Sequence, residues 1–398
     1  MPISTLYIGL SGLQAAAKAF NVAGNNTANM NTAGFKSQSV MFSDLFQRDA
    51  GQSGGQMGSG VNIAATSINL DKAGELQKSD RSLDLAVDGN GFFILRDEEH
   101  QQTSYTRDGR VDFKDGYLVS LSSGDRVAGM NEAGQLIDIS IADLQFCEPK
   151  HSENVTLKGN LAKNATKEVV VDGVKIVDPS GLERVIKLTF KKSATSDTDW
   201  TVTASDAEGA IDTGGFLLQF SGADPVESAS KLKFQYAPAG ADAFEVTLDF
   251  GAVKLASVNV TPPAEPASTV AFDKHDGHAA GMLKEIAIDG SGVVNVTYTN
   301  GQKKKGPQLA LARFASDQDV AQQGGGRFTA TDPQGVSLGR PGSDGFGGVL
   351  PNRIEGSNVQ LEAAFGDIIL YQRLFQSAGK VVQTANEMVQ SLYDLDKR

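Results

Sequence analysis

The sequence predicts an α+β protein: a helix at each end, the two paired as a coiled-coil-like inner domain, with nested antiparallel all-β domains between them. Three observations carry this. Apolar residues recur at alternating steps of three and four near both ends, the period switches to two in between, and Asp-Gly and Asn-Gly turn signals punctuate the middle.

The N-terminal stripe is Ile3, Leu6, Leu10, Leu13, Ala17 and Phe20. Steps of three and four place these side chains along one seam of a helix, with Ser4 as the expected N-cap. The other faces are unusual. From Ser4 to Phe35 the only charged residue is Lys18. A surface helix carries a charged outer face, and one without it expects protein all round. Gly9 and Gly12 each cost about 1 kcal/mol relative to Ala in a helix interior, so packing rather than propensity has to hold this helix together.

The C-terminal stripe is longer: Leu361, Ala364, Ile368, Tyr371, Phe375, Ala378, Val382, Ala385, Val389 and Leu392, with Ser357 and Asn358 as capping candidates. At 1.5 Å per residue the helix would run roughly 50 Å. Each large apolar side chain left in water forgoes about 1.5–3 kcal/mol. Two charge-poor helices at opposite ends of the chain are therefore expected to form an assembly surface.

Between the ends, Val87 to Leu95, Gly116–Val119, Val185–Phe190, Leu232–Tyr236, Phe244–Phe250 and Val293–Tyr298 read as short strands. Asp108-Gly109, Asp115-Gly116, Asp172-Gly173, Asp289-Gly290 and Asn300-Gly301 supply turns. Gly51–Gly60 and the run Thr261-Pro262-Pro263-Ala264-Glu265-Pro266 read as flexible or linker segments.

Composition bounds the function. The chain has 398 residues, 40% apolar and 21% charged, which suits several folded domains. A net charge of −12 argues against nucleic acid or anionic lipid as partners. The one basic run, Lys303–Lys305, follows a turn signal and reads as a solvated hairpin tip. The single cysteine, Cys147, excludes an intramolecular disulfide. No apolar run reaches the length of a membrane span, and the N-terminus lacks the pattern of a cleaved secretory signal. Among the histidines only His275 and His278 are close, in a His-Asp-Gly-His stretch that reads as a polar turn and not a metal site. No phosphate loop, dinucleotide fingerprint, nucleophile elbow or zinc-helix motif is present. The expectation is a protein that is not an enzyme and takes no cofactor.

The segment Gly24-Asn25-Asn26-Thr27-Ala28-Asn29-Met30-Asn31-Thr32-Ala33-Gly34-Phe35-Lys36 closely resembles the signature of the bacterial flagellar rod and hook axial proteins. The signature residues are Asn25, Asn26, Ala28, Asn29, Asn31, Thr32, Gly34, Phe35 and Lys36. Physically the stretch is a helix end followed by an Asn/Gly turn, where both residue types tolerate left-handed backbone. Leu83–Phe93, Tyr105-Thr106-Arg107-Asp108-Gly109 with Gly116–Val119, Ile354–Val359, and Gln372-Arg373 with Lys380–Ala385 resemble further stretches of the same family in the same order. Departures are small: Thr27, Ala364-Phe365-Gly366, Phe375 and Ser377-Ala378 differ from the usual pattern.

The resemblance implies four parts. Residues 1–30 with 358–398 form the helical polymerisation domain, and 31–75 with 335–357 an extended connector. Residues 76–145 with 281–334 form the first β domain, and 146–280 an inserted outer β domain. The long insert resembles the hook members of the family, as does Phe42-Ser43-Asp44-Leu45-Phe46. What this implies is a self-polymerising subunit of the flagellar hook, a curved tube that transmits torque as a universal joint. It would leave the cell through the flagellar type III export apparatus without cleavage and meet the distal rod, the hook cap and the hook-filament junction proteins. No nucleic acid and no membrane insertion are expected. A distal-rod-like axial protein, or a secreted β-rich binding module, are the alternative readings.

Overall fold

The computed structural model describes residues 2–47, 57–99, 102–163, 165–256 and 268–396. His100, most of the Gly51–Gly60 stretch and the Thr261–Pro266 run lie outside the described residues, as does the side chain of Ile3. The chain divides into two compact units, residues 1–143, 286–296 and 305–398 in the first and 144–285 with 297–304 in the second.

The first unit holds both helices. Helix α1 runs Pro2–Ala28 and α2 runs Leu361–Asp396. Ser4, expected as the N-cap, instead lies inside α1. The helix starts earlier because Pro2, with its fixed φ and no N–H, suits a first helical position. Within residues 31–75, the segments 38–47 and 57–68 form a long antiparallel strand pair. Strand β1 (Gln38–Gln47) pairs antiparallel with β2 (Met57–Ile68), Gln38 opposite Ile68, with register shifts after Met41 and Leu45. Two-stranded hairpins are marginal on their own, and this one is packed against α1.

The rest of the first unit is β. Strand β3 (Leu76–Lys78) pairs with Arg353–Glu355, which ties the chain's outgoing and returning segments together. Strands β4 (Asp84–Asp88), β5 (Phe92–Arg96), β6 (Thr103–Thr106), β7 (Gly109–Lys114), β8 (Tyr117–Ser120) and β9 (Arg126–Met130) follow as short antiparallel neighbours. The β7–β8 turn is Asp115-Gly116, both with positive φ (52° and 83°), the tight two-residue hairpin that an Asp-Gly pair favours. Asp108-Gly109 is different: Gly109 lies within β7, where a Cβ would collide with the Leu85 carbonyl, so glycine here serves close strand packing. Phe92 packs edge-on against Phe314 and Phe328, at 5.3 and 5.5 Å between ring centres, in the core of this unit.

The second unit is built on two sheets. One orders Lys231–Tyr236, Phe244–Ala256, Asn154–Ala162 and Ala271–His275; the other centres on Val169–Val177, Glu183–Lys192 and Asp199–Ser205. Alternate residues of both, such as Leu188, Phe190, Trp200, Val246 and Phe250, share one fully buried apolar cluster. One pairing departs from the antiparallel expectation: Asn154–Ala162 runs parallel to Phe244–Ala256. The latter strand is 13 residues long and bonds Lys231–Tyr236 along one edge in antiparallel register, leaving its other edge for the earlier strand. The long excursion between residues 162 and 244 is the crossover a parallel pair needs. The His-Asp-Gly-His stretch is structural: Asp276 accepts from the Glu153 and Asn154 N–H groups at 2.9 Å each and from Asn154 Nδ2 at 3.0 Å.

Candidate assembly surface and the junction beside it

The two helices meet through small residues. Ala15, Ala16, Ala19 and Ala23 of α1 and Ala364 and Ala385 of α2 are buried. A Cβ on Gly9 would sit 2.8 Å from Val382 Cγ2, and one on Gly12 3.3 Å from Ala378 Cβ. Strand β2 also docks on α1: the Ser11 hydroxyl accepts from the Val61 N–H at 3.2 Å and donates to the Ile8 carbonyl at 2.8 Å. Beside it, a cleft of about 400 Å³ is lined by Ile8, Gly12, Phe42, Val61, Leu374 and Val381 among others.

The residues expected at the interface divide into two groups. Leu6, Leu13 and Ala17 of α1, with Ile368, Tyr371, Val382 and Val389 of α2, are half-buried. Leu10, Phe20, Leu361, Phe375 and Leu392 are exposed. Beyond that set, Tyr7, Phe365, Ile369, Leu370, Leu374, Met388 and Tyr393 are also exposed, several by half or more. Reading by heptad favours large side chains, but alanines and glycines make much of the contact here, with Val382 packed against Gly9, and many of the large residues lie outside it. Exposed apolar rows of this extent make the helix pair a candidate protein-contact surface. Burial raises the Tyr371 phenol, with Asp367 adding to the effect.

The signature residues form the end of α1 and the turn beyond it. The Asn29 N–H bonds the carbonyls of Asn25 and Asn26, its Nδ2 donates to Asn25 Oδ1, and the Thr32 hydroxyl donates to Asn29 Oδ1. Ala28 and Asn31 are exposed. Asn26 reaches β1: its Nδ2 donates to the Gln38 carbonyl at 2.7 Å and its Oδ1 accepts the Gln38 N–H at 2.9 Å. Gly34 has φ +68°, and a Cβ there would lie 2.5 Å from the Asp108 nitrogen, so only glycine fits. Phe35 and Lys36 are buried.

Lys36 leads to a feature the sequence did not disclose. Its Nζ donates to Glu355 Oε1 at 2.9 Å and to the Lys72 carbonyl at 2.7 Å. Arg107 donates to Glu355 Oε2 at 3.0 Å and to the carbonyls of Val87 and Gly89. Exposure of the three side chains is 0%, 1% and 3% for Lys36, Glu355 and Arg107. Burial lowers the Lys36 ammonium pKa, Glu355 opposes that, and the nearby Arg107 charge adds to it. Burial likewise lowers Arg107 against the pull of Glu355. Asn358, expected as a helix cap, instead holds the connector: its Oδ1 accepts the Ser37 N–H at 2.7 Å, and its Nδ2 donates to the Asn69 and Lys72 carbonyls at 2.9 Å each. The one available signal was that Lys36, Arg107, Glu355 and Asn358 all fall within the family-like stretches.

Among the described residues no group of three or more His, Cys, Asp or Glu side chains could hold a metal ion, and no helix is long and apolar enough to cross a membrane. The distinctive geometry lies at the two chain ends, in a helix pair with exposed apolar rows and the buried junction beside it. The family model described as flagella basal body rod protein matches residues 6–36, and that described as flagellar basal body rod FlgEFG protein C-terminal matches residues 350–395. The flagellar hook protein FlgE of Borreliella burgdorferi is 30% identical over 442 residues, covering 98% of this chain and 99% of the relative. FlgE of Treponema pallidum is 27% identical, covering 99% of each chain, and FlgE of Salmonella typhimurium 28%, covering 97% and 98%. A crystal structure of Helicobacter pylori flagellar hook protein FlgE2 aligns with TM-score 0.49 and 12% identity, over 69% of this chain and 98% of that one. The chain belongs to the flagellar hook protein family.

Proposed function

We propose that this protein is the structural subunit of a bacterial flagellar hook, whose copies polymerise into a curved, flexible tube that passes torque from the rod to the filament. The observation that carries the reading is end-to-end coverage: relatives named as hook proteins match both the helical ends and the long region between them, at up to 30% identity over 98% of the chain. The exposed apolar side chains of α1 and α2 support it, since a helix pair that served only its own chain would gain by turning them inward. In this reading residues 1–30 and 358–398 are the polymerisation domain, and its interface includes Leu10, Phe20, Phe375 and Leu392. Partners are further copies, the distal rod, the hook cap and the hook-filament junction proteins. The route is the flagellar type III export apparatus, uncleaved, to a site outside the cell.

Electron microscopy of the concentrated purified protein tests this. Curved tubes are the expected product. Straight tubes would move the reading to a rod-like axial subunit, and monodisperse monomers under every condition tried would overturn it.

A further inference from the structure

In the Lys36–Glu355–Arg107 cluster one buried carboxylate bonds two cations and all three side chains are sealed from solvent, while the exposed Asp71 adds a weaker pull on Lys36. Glu355 lies 319 residues from Lys36 and 248 from Arg107 along the chain. Its strand brings more than the carboxylate. The Gly34 N–H donates to the Glu355 carbonyl at 2.8 Å, the Gly74 N–H donates to Glu355 Oε1 at 2.9 Å, and the Asn358 N–H donates to the Phe35 carbonyl at 3.2 Å. Without residues 355–358, the segments around 34–37 and 72–74 would lose these partners. Lys36 and Arg107 would then lose the one carboxylate that both bond, leaving two like charges with only the exposed Asp71 nearby, a state disfavoured wherever the site stays closed to water.

We infer that this cluster is a conformational device that makes order at the N-terminal junction conditional on docking of the C-terminal strand. Two cations that share one bonded carboxylate disfavour a closed junction without that strand. The end of α1, the start of the hairpin and the segment before β3 therefore set together with residues 353–358 or not at all. The consequence for a self-assembling chain is that its helical surface is positioned only when both ends are in place.

The test uses the full-length protein and hydrogen exchange read by peptide, comparing residues 34–40 and 69–76 with the outer strand Glu183–Lys192. Three variants separate charge balance from simple loss of a contact. Glu355→Gln should speed exchange at 34–40 and 69–76 together by roughly 100-fold while leaving 183–192 unchanged. Lys36→Met, which leaves a balanced Arg107–Glu355 pair, should cost far less. Lys36→Met combined with Glu355→Gln should recover part of the protection lost in Glu355→Gln, because one orphaned cation is gone. The inference is overturned if the wild-type junction is itself unprotected, if Glu355→Gln stays near wild type, or if its loss spreads to 183–192. It also fails if the double variant is no better than Glu355→Gln alone.

Discussion

The Asn26 carboxamide bonds both backbone groups of Gln38, donating to its carbonyl at 2.7 Å and accepting from its N–H at 2.9 Å. One side chain at the end of α1 thus does for the first residue of β1 what a neighbouring strand would do. That fixes the angle at which the hairpin leaves the helix. Asn26→Ala removes both bonds from a nearly buried site and should weaken the junction by about 1–3 kcal/mol. Asn26→Asp should cost more, since it keeps the acceptor for the N–H but sets a carboxylate oxygen against the Gln38 carbonyl. Protease susceptibility of the Ser37–Val40 segment, followed with time, would rank the two; an Asn26→Asp chain as resistant as wild type would refute the pairing.

Gly9 and Gly366 make opposite predictions for the same substitution. Replacing glycine by alanine inside a helix gains about 1 kcal/mol of propensity. At Gly366 no atom beyond its own stretch of helix lies within 4 Å of the added methyl, so Gly366→Ala should stabilise the helix pair by about 0.5–1 kcal/mol. At Gly9 the methyl meets Val382 Cγ2 at 2.8 Å and the Val382 nitrogen at 3.3 Å. Valine is stiff at χ1 and the nitrogen belongs to the backbone, so an overpacking cost of about 1–3 kcal/mol outweighs the propensity gain. Thermal melts followed by far-ultraviolet circular dichroism should move up for Gly366→Ala and down for Gly9→Ala. A rise for both would mean that the α1–α2 contact is looser than described.

Which parts of this were legible in the sequence follows from the range of the interactions. Helical ends, strands and the Asp115-Gly116 turn depend on neighbours a few residues away, and their patterns are visible in the chain. The ion cluster joins residues up to 319 apart, and nothing local to Lys36 or Glu355 marks a partner. The burial of Ala15, Ala16 and Ala19 was hidden for another reason. A hydropathy stripe weights large side chains, while the closest approach of two helices is set by small ones. The hairpin at 38–68 was masked because its apolar residues, Met41, Phe42 and Leu45 among them, fall on both sides of a register shift and break the alternation that announces a strand.

Acid should act on the second unit through Asp178. Burial works to raise its pKa, but the Ser180 hydroxyl, the Leu182 N–H and the Arg184 guanidinium bond the carboxylate and hold it below the ordinary 3.8. A carboxylate depressed by folding contributes stability that is fully present above its unfolded value. That stability is lost as pH falls through the lower folded value. The second unit should therefore hold at neutral pH and weaken below about pH 4. Trp200, the chain's only tryptophan, is fully buried in the core of this unit and reports its opening by fluorescence. Asp178→Asn should lower stability at neutral pH and flatten the acid dependence of the denaturant midpoint. An unchanged acid slope would assign the effect to other carboxylates.

Ile369 and Met388 put the assembly surface to its sharpest test, because each is about half exposed, at 53% and 52%, and their loss should cost the monomer little. Ile369→Glu and Met388→Lys alter α2 where it faces solvent, so the helix content and melting of the isolated chain should stay within about 0.5 kcal/mol of wild type. In the polymer the same positions would carry a charge into an apolar contact, where an unpaired ion is strongly disfavoured. Sedimentation and electron microscopy of matched concentrated samples should show tubes for the parent chain and unassembled protein for both variants. Normal tubes from either variant would place that side chain outside the contact. Normal tubes from both would require the polymer to be joined through a different face of the helix pair.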